Sequence, residues 1–413
     1  PVQTPHIDRL AREGLRLSGC RSNSPVCSPA RGCLAQGLRY HRAQVASNEY
    51  STPLHNPSIF RLLREAGYQT MTCGKSDLFK PLPDATQTGF LPIMDALGFS
   101  DGIDSRGKGD SINRARKGID EPYSLMLRER GLLNLHLDDH PAQPLDRAAY
   151  PTPLPRDAYT DDFCGQNALR LLERAPAGKP WLLWVNFPGP HDPYDPPAEV
   201  LARYDGIGFP APVNPNHASP AHRNPVADRR HYAACCSSID DWVGRLLGEV
   251  ERRGERDNTL IVFASDHGEM LGDHGRWAKS IWFEGSIRVP LILAGPGVAE
   301  GHSTAIVELI DVAATLLDIG GVNPPDTWDA RTLRPLLQDA SAAHRDFAVS
   351  QLKDWRCLTT NEWKLVETGS GEGETLLFNL VADPAELNNV AVQHSAQCAE
   401  FSSLLDRENP WLE

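Results

Sequence analysis

The sequence predicts an α/β protein, with a large, mostly parallel sheet sandwiched by helices and a smaller C-terminal antiparallel sheet packed beside it. Two observations carry that prediction. Near-continuous apolar runs at 68–73, 181–187, 259–264 and 289–294 alternate with amphipathic stretches, the pattern of strands buried on both faces between covering helices. After about Arg331 the style changes to short runs at 347–350, 356–359, 363–366 and 375–378 separated by turn-forming residues, which predicts a small antiparallel sheet. At 413 residues the chain exceeds what one small core fills. The expected division is a large α/β domain over 1–330 and a small α+β subdomain over 331–413.

The elements follow in order. Thr4 can cap a helix that Pro5 opens, with Ile7, Leu10 and Ala11 as its apolar stripe and Gly14 as its stop. Asn56 to Gly67 repeats that grammar: Asn56 caps, Pro57 starts, Ile59, Leu62, Leu63 and Ala66 face inward, and Gly67 ends the helix. A third, long amphipathic helix is predicted from about Asp228 to Gly254 through Ile239, Trp242, Val243, Leu246, Leu247 and Val250. Proline-rich stretches at 141–155 and 188–225 read as surface loops.

Composition excludes several classes. Hydrophobic content of 40%, charged content of 23% and no apolar run of bilayer length argue against a membrane span and against disorder. A net charge of −13 argues against sequence-blind binding to nucleic acid. An anionic substrate would therefore need locally placed positive charge. Nine cysteines without recurring spacing suggest neither a disulfide framework nor a zinc site. With no initiator methionine and no leader in view, the compartment stays open between cytoplasm and periplasm.

In an open parallel sheet, ligands gather beyond the carboxyl ends of the strands. Those positions are chemically loaded here: Gly74-Lys75-Ser76-Asp77 follows the first run, Pro188-Gly189-Pro190-His191-Asp192 the second, and Ser265-Asp266-His267-Gly268-Glu269 the third. Taken singly, each has a plainer reading: Lys75 as a solvated lysine, His191 as a polar loop residue, Asp266 with His267 as a helix cap. Their shared place at strand ends favours the functional reading. Cys27 opens the pentapeptide Cys27-Ser28-Pro29-Ala30-Arg31, followed by a stretch suited to a helix beginning just past the cysteine. Such a helix start aims backbone N–H groups and a positive dipole end at the side chain, a setting for an anion. The alternative is a buried structural cysteine.

Taken together, these segments resemble the type I sulfatase family of the alkaline phosphatase superfamily. The match runs nearly end to end, from Thr4–Gly14 through Cys27–Arg31, Gly74-Lys75, Gly189–Tyr194, Ser265–Glu269, Gly272–Gly275, Trp277–Lys279, Arg288–Leu291 and Ile310-Asp311 to Leu380–Leu387. The resemblance implies a formylglycine nucleophile, made from Cys27 by a maturation enzyme that reads the pentapeptide. Its hydrate would attack sulfur in line, and its second hydroxyl would then expel sulfate. Arg31 would hold the nucleophile. Asp266 and His267 would be ligands to one divalent cation, Ca²⁺ or else Mg²⁺. Lys75 and Lys279 would bind sulfate oxygens, and His191 would bind substrate and protonate the leaving alkoxide. The implied substrate is a small-molecule or carbohydrate sulfate ester, and the implied enzyme class a sulfuric ester hydrolase. His267, where many sulfatases have Asn, resembles the branch that contains choline sulfatases and phosphonate monoester hydrolases.

Three departures stand out. The family opens with a buried strand ending in two metal-binding aspartates, which is not in this sequence; the expectation is that an N-terminal segment precedes Pro1, the alternative being a loss of that strand and of half the metal site. Asp77 stands where the family commonly has a histidine that helps expel sulfate, and a carboxylate there would act as a base while repelling the anion. Leu34-Ala35-Gln36-Gly37 alters the usual Leu-Thr-Gly after the signature. Competing readings are a phosphonate or phosphate ester hydrolase of the same superfamily, a catalytically silent family member, and a hydrolase using the Cys27 thiol itself, for which nothing in the sequence dictates a base.

Overall fold

The computed structural model describes residues 1–80, 91–139, 149–215, 223–369 and 373–411. Its strands run in chain order as β1 (Leu15–Leu17), β2 (Cys20–Arg21), β3 (Gln69–Gly74), β4 (Asp101–Asp104), β5 (Trp181–Asn186), β6 (Ile261–Ala264) and β7 (Leu291–Ala294). They continue as β8 (Gly301–Ser303), β9 (Val307–Glu308), β10 (Ala348–Leu352), β11 (Trp355–Thr359), β12 (Trp363–Thr368) and β13 (Thr375–Asn379). The described chain folds as two compact units that interleave in sequence. One comprises Pro1–Arg9, Leu63–Ser76 and Pro81–Thr259, the other Leu10–Leu62, Asp77–Lys80 and Leu260–Glu413. Compactness thus divides the chain differently from the change of sequence style near Arg331.

In the first unit β3 lies between β4 and β5, parallel to both. The helix Thr160–Arg174 covers this sheet, burying Cys164, Ala168 and Leu171 against Met71 and Cys73. The long helix Pro225–Arg252 packs on it in turn, close to its predicted span. A β-carbon on Gly165 would lie 2.0 Å from the Trp242 ring, so only glycine permits that approach. Asp240 of the long helix caps the first helix, Pro5–Glu13, accepting from the N–H groups of His6 at 3.1 Å and Ile7 at 2.7 Å. The cap expected from Thr4 is therefore supplied from far along the chain, and the Thr4 hydroxyl donates instead to Asp8.

The second unit holds a mixed sheet in the order β6-β7-β1-β8, with β7 antiparallel to both β6 and β1 and with β8 parallel to β1. Leu15, Leu17, Leu291 and Leu293 from this sheet form its core with Val307, Leu309 and Leu336. The sequence had not distinguished the antiparallel pairings within the α/β part. The expected C-terminal antiparallel sheet is present as β10-β11-β12-β13, each strand paired with the next. The helix Ser395–Glu408 covers it through Phe401 and Leu405, and β10 lies against the short pair β2 and β9.

One helix start needs correction. The second predicted helix spans Ile59–Glu65, and its cap is Ser58, whose hydroxyl accepts from Arg61 N–H at 3.1 Å. Asn56 instead donates its side-chain amide to Gln36. Of the loops expected at 141–155 and 188–225, residues 141–148 and 216–222 lie outside the described residues. Among the described residues no helix is long and apolar enough to cross a membrane.

Candidate active site

The pentapeptide forms the start of a helix, Cys27–Gln36, that is buried almost along its whole length. Val26 is extended at φ −145° and ψ 141°, and Pro29 falls in the first turn, where a missing N–H costs nothing. Gly37 closes the helix in the left-handed region at φ 62°, beneath Trp328. Helical geometry thus begins at Cys27 itself rather than just past it. One orphan donor of that first turn, Ser28 N–H, is satisfied by Asn48 Oδ1 at 2.9 Å.

Cys27 and Arg31 stand one turn apart on this helix, so their side chains share a face. Facing them is the turn that follows β6. Its conformation is fixed locally: the Ser265 hydroxyl donates to His267 O at 2.7 Å, and His267 N–H donates to Asp266 Oδ1 at 3.0 Å. The Ser22 hydroxyl donates to Asp266 O, and Gly268 N–H donates to Ser286 O at 2.8 Å. A β-carbon at Gly268 would meet Gly285 O at 2.1 Å, which explains the glycine. No helix follows Asp266, so the helix-cap reading of Asp266 and His267 does not apply.

Arg31 Nε donates to Asp266 Oδ2 at 2.8 Å, and Cys27 Sγ lies 3.2 Å from His267 Nε2. The donor atoms of Cys27, Asp266 and His267 all fall within 4.8 Å of one another. His267 Nδ1 is 2.9 Å from Gly268 O, and a carbonyl only accepts, so Nδ1 carries a proton and Nε2 is the nitrogen turned to Cys27. A carboxylate oxygen and an imidazole oriented by a backbone carbonyl are donors that suit a divalent cation, and they fit one here. Ca²⁺ takes about six to eight oxygen ligands, so this pair would supply part of its shell.

The charges around these atoms reinforce one another. Burial opposes the Arg31 charge, but Asp266, then Asp77 and Cys27, more than offset it and raise its pKa. Burial likewise opposes protonation of His267, while Asp266 and Cys27 outweigh it and Lys279 works against them, leaving the pKa raised. Lys279 is half-buried, in a segment tied by Ser280 N–H to Pro25 O at 3.2 Å and by Trp355 Nε1 to Ser280 O at 3.2 Å. Asp77 is buried in the left-handed region at φ 54°, with Lys80 Nζ 3.8 Å from its carboxylate. The second unit therefore gathers Cys27, Arg31, Asp266 and His267, with Lys279 and Asp77 acting on them through charge.

Lys75 and His191 belong to the first unit. They follow parallel neighbours, since Lys75 N–H donates to Asn186 O at 2.9 Å. Gly74 turns the chain there at φ 87°, where a β-carbon would meet Asn186 O at 2.2 Å. Lys75 is buried, and its side chain runs across Gly107, whose β-carbon would lie 3.0 Å from Lys75 Cε. His191 Nδ1 is 2.7 Å from Asp192 O. Sequence reasoning missed Ser22 and Asn48 as residues that shape the site and gave Ser265 no role of its own; Ser265 opens a motif already singled out, but the other two carry no local signal.

Comparison with known proteins decides the class. The family described as Sulfatase matches residues 1–322, and the family described as N-sulphoglucosamine sulphohydrolase, C-terminal, matches residues 272–408. The chain belongs to the sulfatase family. It is a sulfuric ester hydrolase of the alkaline phosphatase superfamily. This sulfatase is 26% identical to an arylsulfatase of Clostridium perfringens over 416 residues, covering 94% of this chain and 85% of that one. It is 28% identical to a choline-sulfatase of Rhizobium meliloti over 428 residues, covering 94% and 78%. Among solved structures, the phosphonate monoester hydrolase of Silicibacter pomeroyi superposes with a TM-score of 0.80 at 22% identity, covering 99% of this chain and 92% of that one, a likeness of fold.

Proposed function

We propose that this sulfatase hydrolyses a sulfate monoester to an alcohol and inorganic sulfate, using a formylglycine made from Cys27 and one divalent cation at Asp266 and His267. The observation that carries the reading is the 3.2 Å approach of Cys27 Sγ to His267 Nε2, beside an Asp266 carboxylate held by Arg31. Cys27 is 2% exposed, at the start of a helix whose positive end favours an anion.

The hydrated aldehyde supplies a hydroxyl nucleophile and a second hydroxyl through which sulfate can leave. A divalent cation held by Asp266 and His267, Ca²⁺ before Mg²⁺, would supply positive charge to acidify the nucleophile and polarise a sulfate oxygen. Arg31 fixes the Asp266 carboxylate by direct donation and places a permanent charge one turn from residue 27. His267 is held in one tautomer by its Nδ1 proton. Lys279 and Lys75 offset the charge that builds on sulfate as the ester bond breaks, and His191 gives a proton to the departing alkoxide. For Lys75 and His191 the support is their motif positions. Asp77, beside Arg31, tempers the positive field and is a candidate base for the second step. In this division of labour residues 1–330 carry the chemistry and 331–413 support it. Maturation requires a formylglycine-generating enzyme as partner.

A second reading, hydrolysis of a phosphonate or phosphate ester, is favoured by His267 in the second ligand slot. Rates on the sulfate and phosphate esters of one phenol separate the two. Cys27→Ala should abolish turnover with an unchanged circular dichroism spectrum; substantial residual sulfate release would refute the nucleophile assignment.

A further inference from the structure

Lys108 is a buried charge that the mechanism above does not use. It stands 4% exposed at the start of the helix Lys108–Arg116. Its Nζ donates to Asp195 Oδ1, to Pro193 O at 3.1 Å and to Tyr159 OH at 3.0 Å. Tyr159 OH in turn donates to Asp195 at 3.3 Å. Burial works against the charge on Lys108, and Asp195, Cys235 and Asp161 more than offset it. The two acceptors Pro193 and Asp195 end the segment that carries His191. At its other end Gly189 N–H donates to Asp161 Oδ1 at 2.8 Å, and a β-carbon on Gly189 would come within 2.3 Å of Asp161 Oδ2.

The segment 189–195 is therefore clamped on both sides of His191 by buried groups, Asp161 before it and Lys108 after it. Within it, His191 Nδ1 lies 2.7 Å from Asp192 O and 3.1 Å from the Asp192 carboxylate, so the ring direction follows the placement of residue 192 by this segment. The residue preceding Lys108 is Gly107, over which the Lys75 side chain runs. One short stretch, Gly107-Lys108, thus supports both first-unit residues assigned to the reaction. A buried Lys with three fixed acceptors is more than a bare Coulomb partner for Asp195 requires, because the bond to Pro193 O fixes backbone position as well as charge.

We propose that Lys108 is a positioning residue for the leaving-group proton transfer, acting through the backbone at Pro193 to hold His191 where it meets the departing oxygen. The proposal rests on the reading of His191 as general acid and adds the device that aims it. Proton donation matters most when the leaving alcohol is weakly acidic, so misplacing the acid steepens the dependence of rate on leaving-group pKa.

The test uses matured full-length protein, a series of aryl sulfates whose phenols span strongly to weakly acidic, and kcat and KM for each. His191→Ala, Lys108→Met and the charge-free pair Lys108→Met/Asp195→Leu are compared with the parent. The expected result for Lys108→Met is a kcat lowered about ten- to hundredfold on the poorest leaving groups and less than about threefold on the best, with KM little changed. The double variant, which removes both ends of the Lys108–Asp195 pair, should keep that steepened slope. It carries the test if Lys108→Met does not fold. Should the double variant regain the parent slope, or both variants lose rate equally across the series, Lys108 serves only charge balance and the proposal is overturned. A flat series for His191→Ala would instead overturn the general-acid reading itself.

Discussion

Lys364 on β12 is wholly buried, with Nζ 2.7 Å from Glu386 Oε1, 2.8 Å from Glu284 Oε1 and 3.0 Å from Trp282 O. Replacing it with Met keeps the apolar stem and removes the cation. Glu284 would retain Arg21 at 2.8 Å, and Glu386 would retain the Glu284 N–H at 2.7 Å, but both carboxylates would stay buried with one charge too few. Breaking a buried pair in this way costs about 3–5 kcal/mol. The acid limb gives a second measure. Burial would raise the Glu284 carboxyl, yet Lys364, followed by Arg21, pulls it from its ordinary 4.5 down to about 2. A displacement of that size corresponds to about 3 kcal/mol. Because the folded value is depressed, this stability is present above pH 4.5 and is lost as pH falls through about 2. Urea unfolding followed by tryptophan fluorescence at pH 7, repeated toward pH 2.5, should show Lys364→Met less stable by about 3–5 kcal/mol with a flatter acid limb. A loss under about 1 kcal/mol would mean that the cluster behaves like a solvated surface pair and would refute the reasoning. The test also bears on the active site, since Glu284 begins the short helix whose Ser286 carbonyl holds Gly268 beside the Asp266–His267 turn.

Two further outcomes are expected. Arg31→Met removes the donor that fixes Asp266, so divalent-cation affinity measured by titration calorimetry should fall about 10–100-fold, while an unchanged affinity would place Arg31 outside the ligand support. Asp161, wholly buried, is raised from 3.8 to about 6 by burial, which Lys108 and the Gly189 N–H only partly counter. A raised acid stabilises the fold below pH 3.8 and loses that contribution as pH rises through about 6. Asp161→Asn should therefore weaken the fall in unfolding free energy between pH 4 and 6 by up to about 3 kcal/mol; an identical slope in parent and variant would contradict it.

Much of the architecture was legible because β5 is a near-continuous apolar run and the C-terminal strands are short runs separated by turn formers. The strands β1, β2, β4, β8 and β9 are two to four residues long, too short to carry any periodicity. Pairing direction depends on partners distant in sequence, so the antiparallel setting of β7 had no local sign. The same limit applies to the site. Cys27 and Arg31 could be read together because one helical turn separates them, and Asp266 with His267 because they adjoin a strand end. That Arg31 grips Asp266, that Asp240 caps the first helix, and that Lys108 ties down the His191 segment are contacts between residues far apart in the chain. Asn56 failed as a cap for a different reason: Ser58 lies closer to the first helical turn, and the Asn56 amide found Gln36.

Catalysis by this sulfatase depends on what becomes of one thiol, that of Cys27. Protein made alongside a formylglycine-generating enzyme, digested and treated with an aminooxy reagent, should yield a peptide spanning residue 27 that carries an oxime, with sulfatase turnover rising in proportion to the labelled fraction. A peptide that keeps its free Cys27 thiol while the protein hydrolyses sulfate esters at full rate would contradict it.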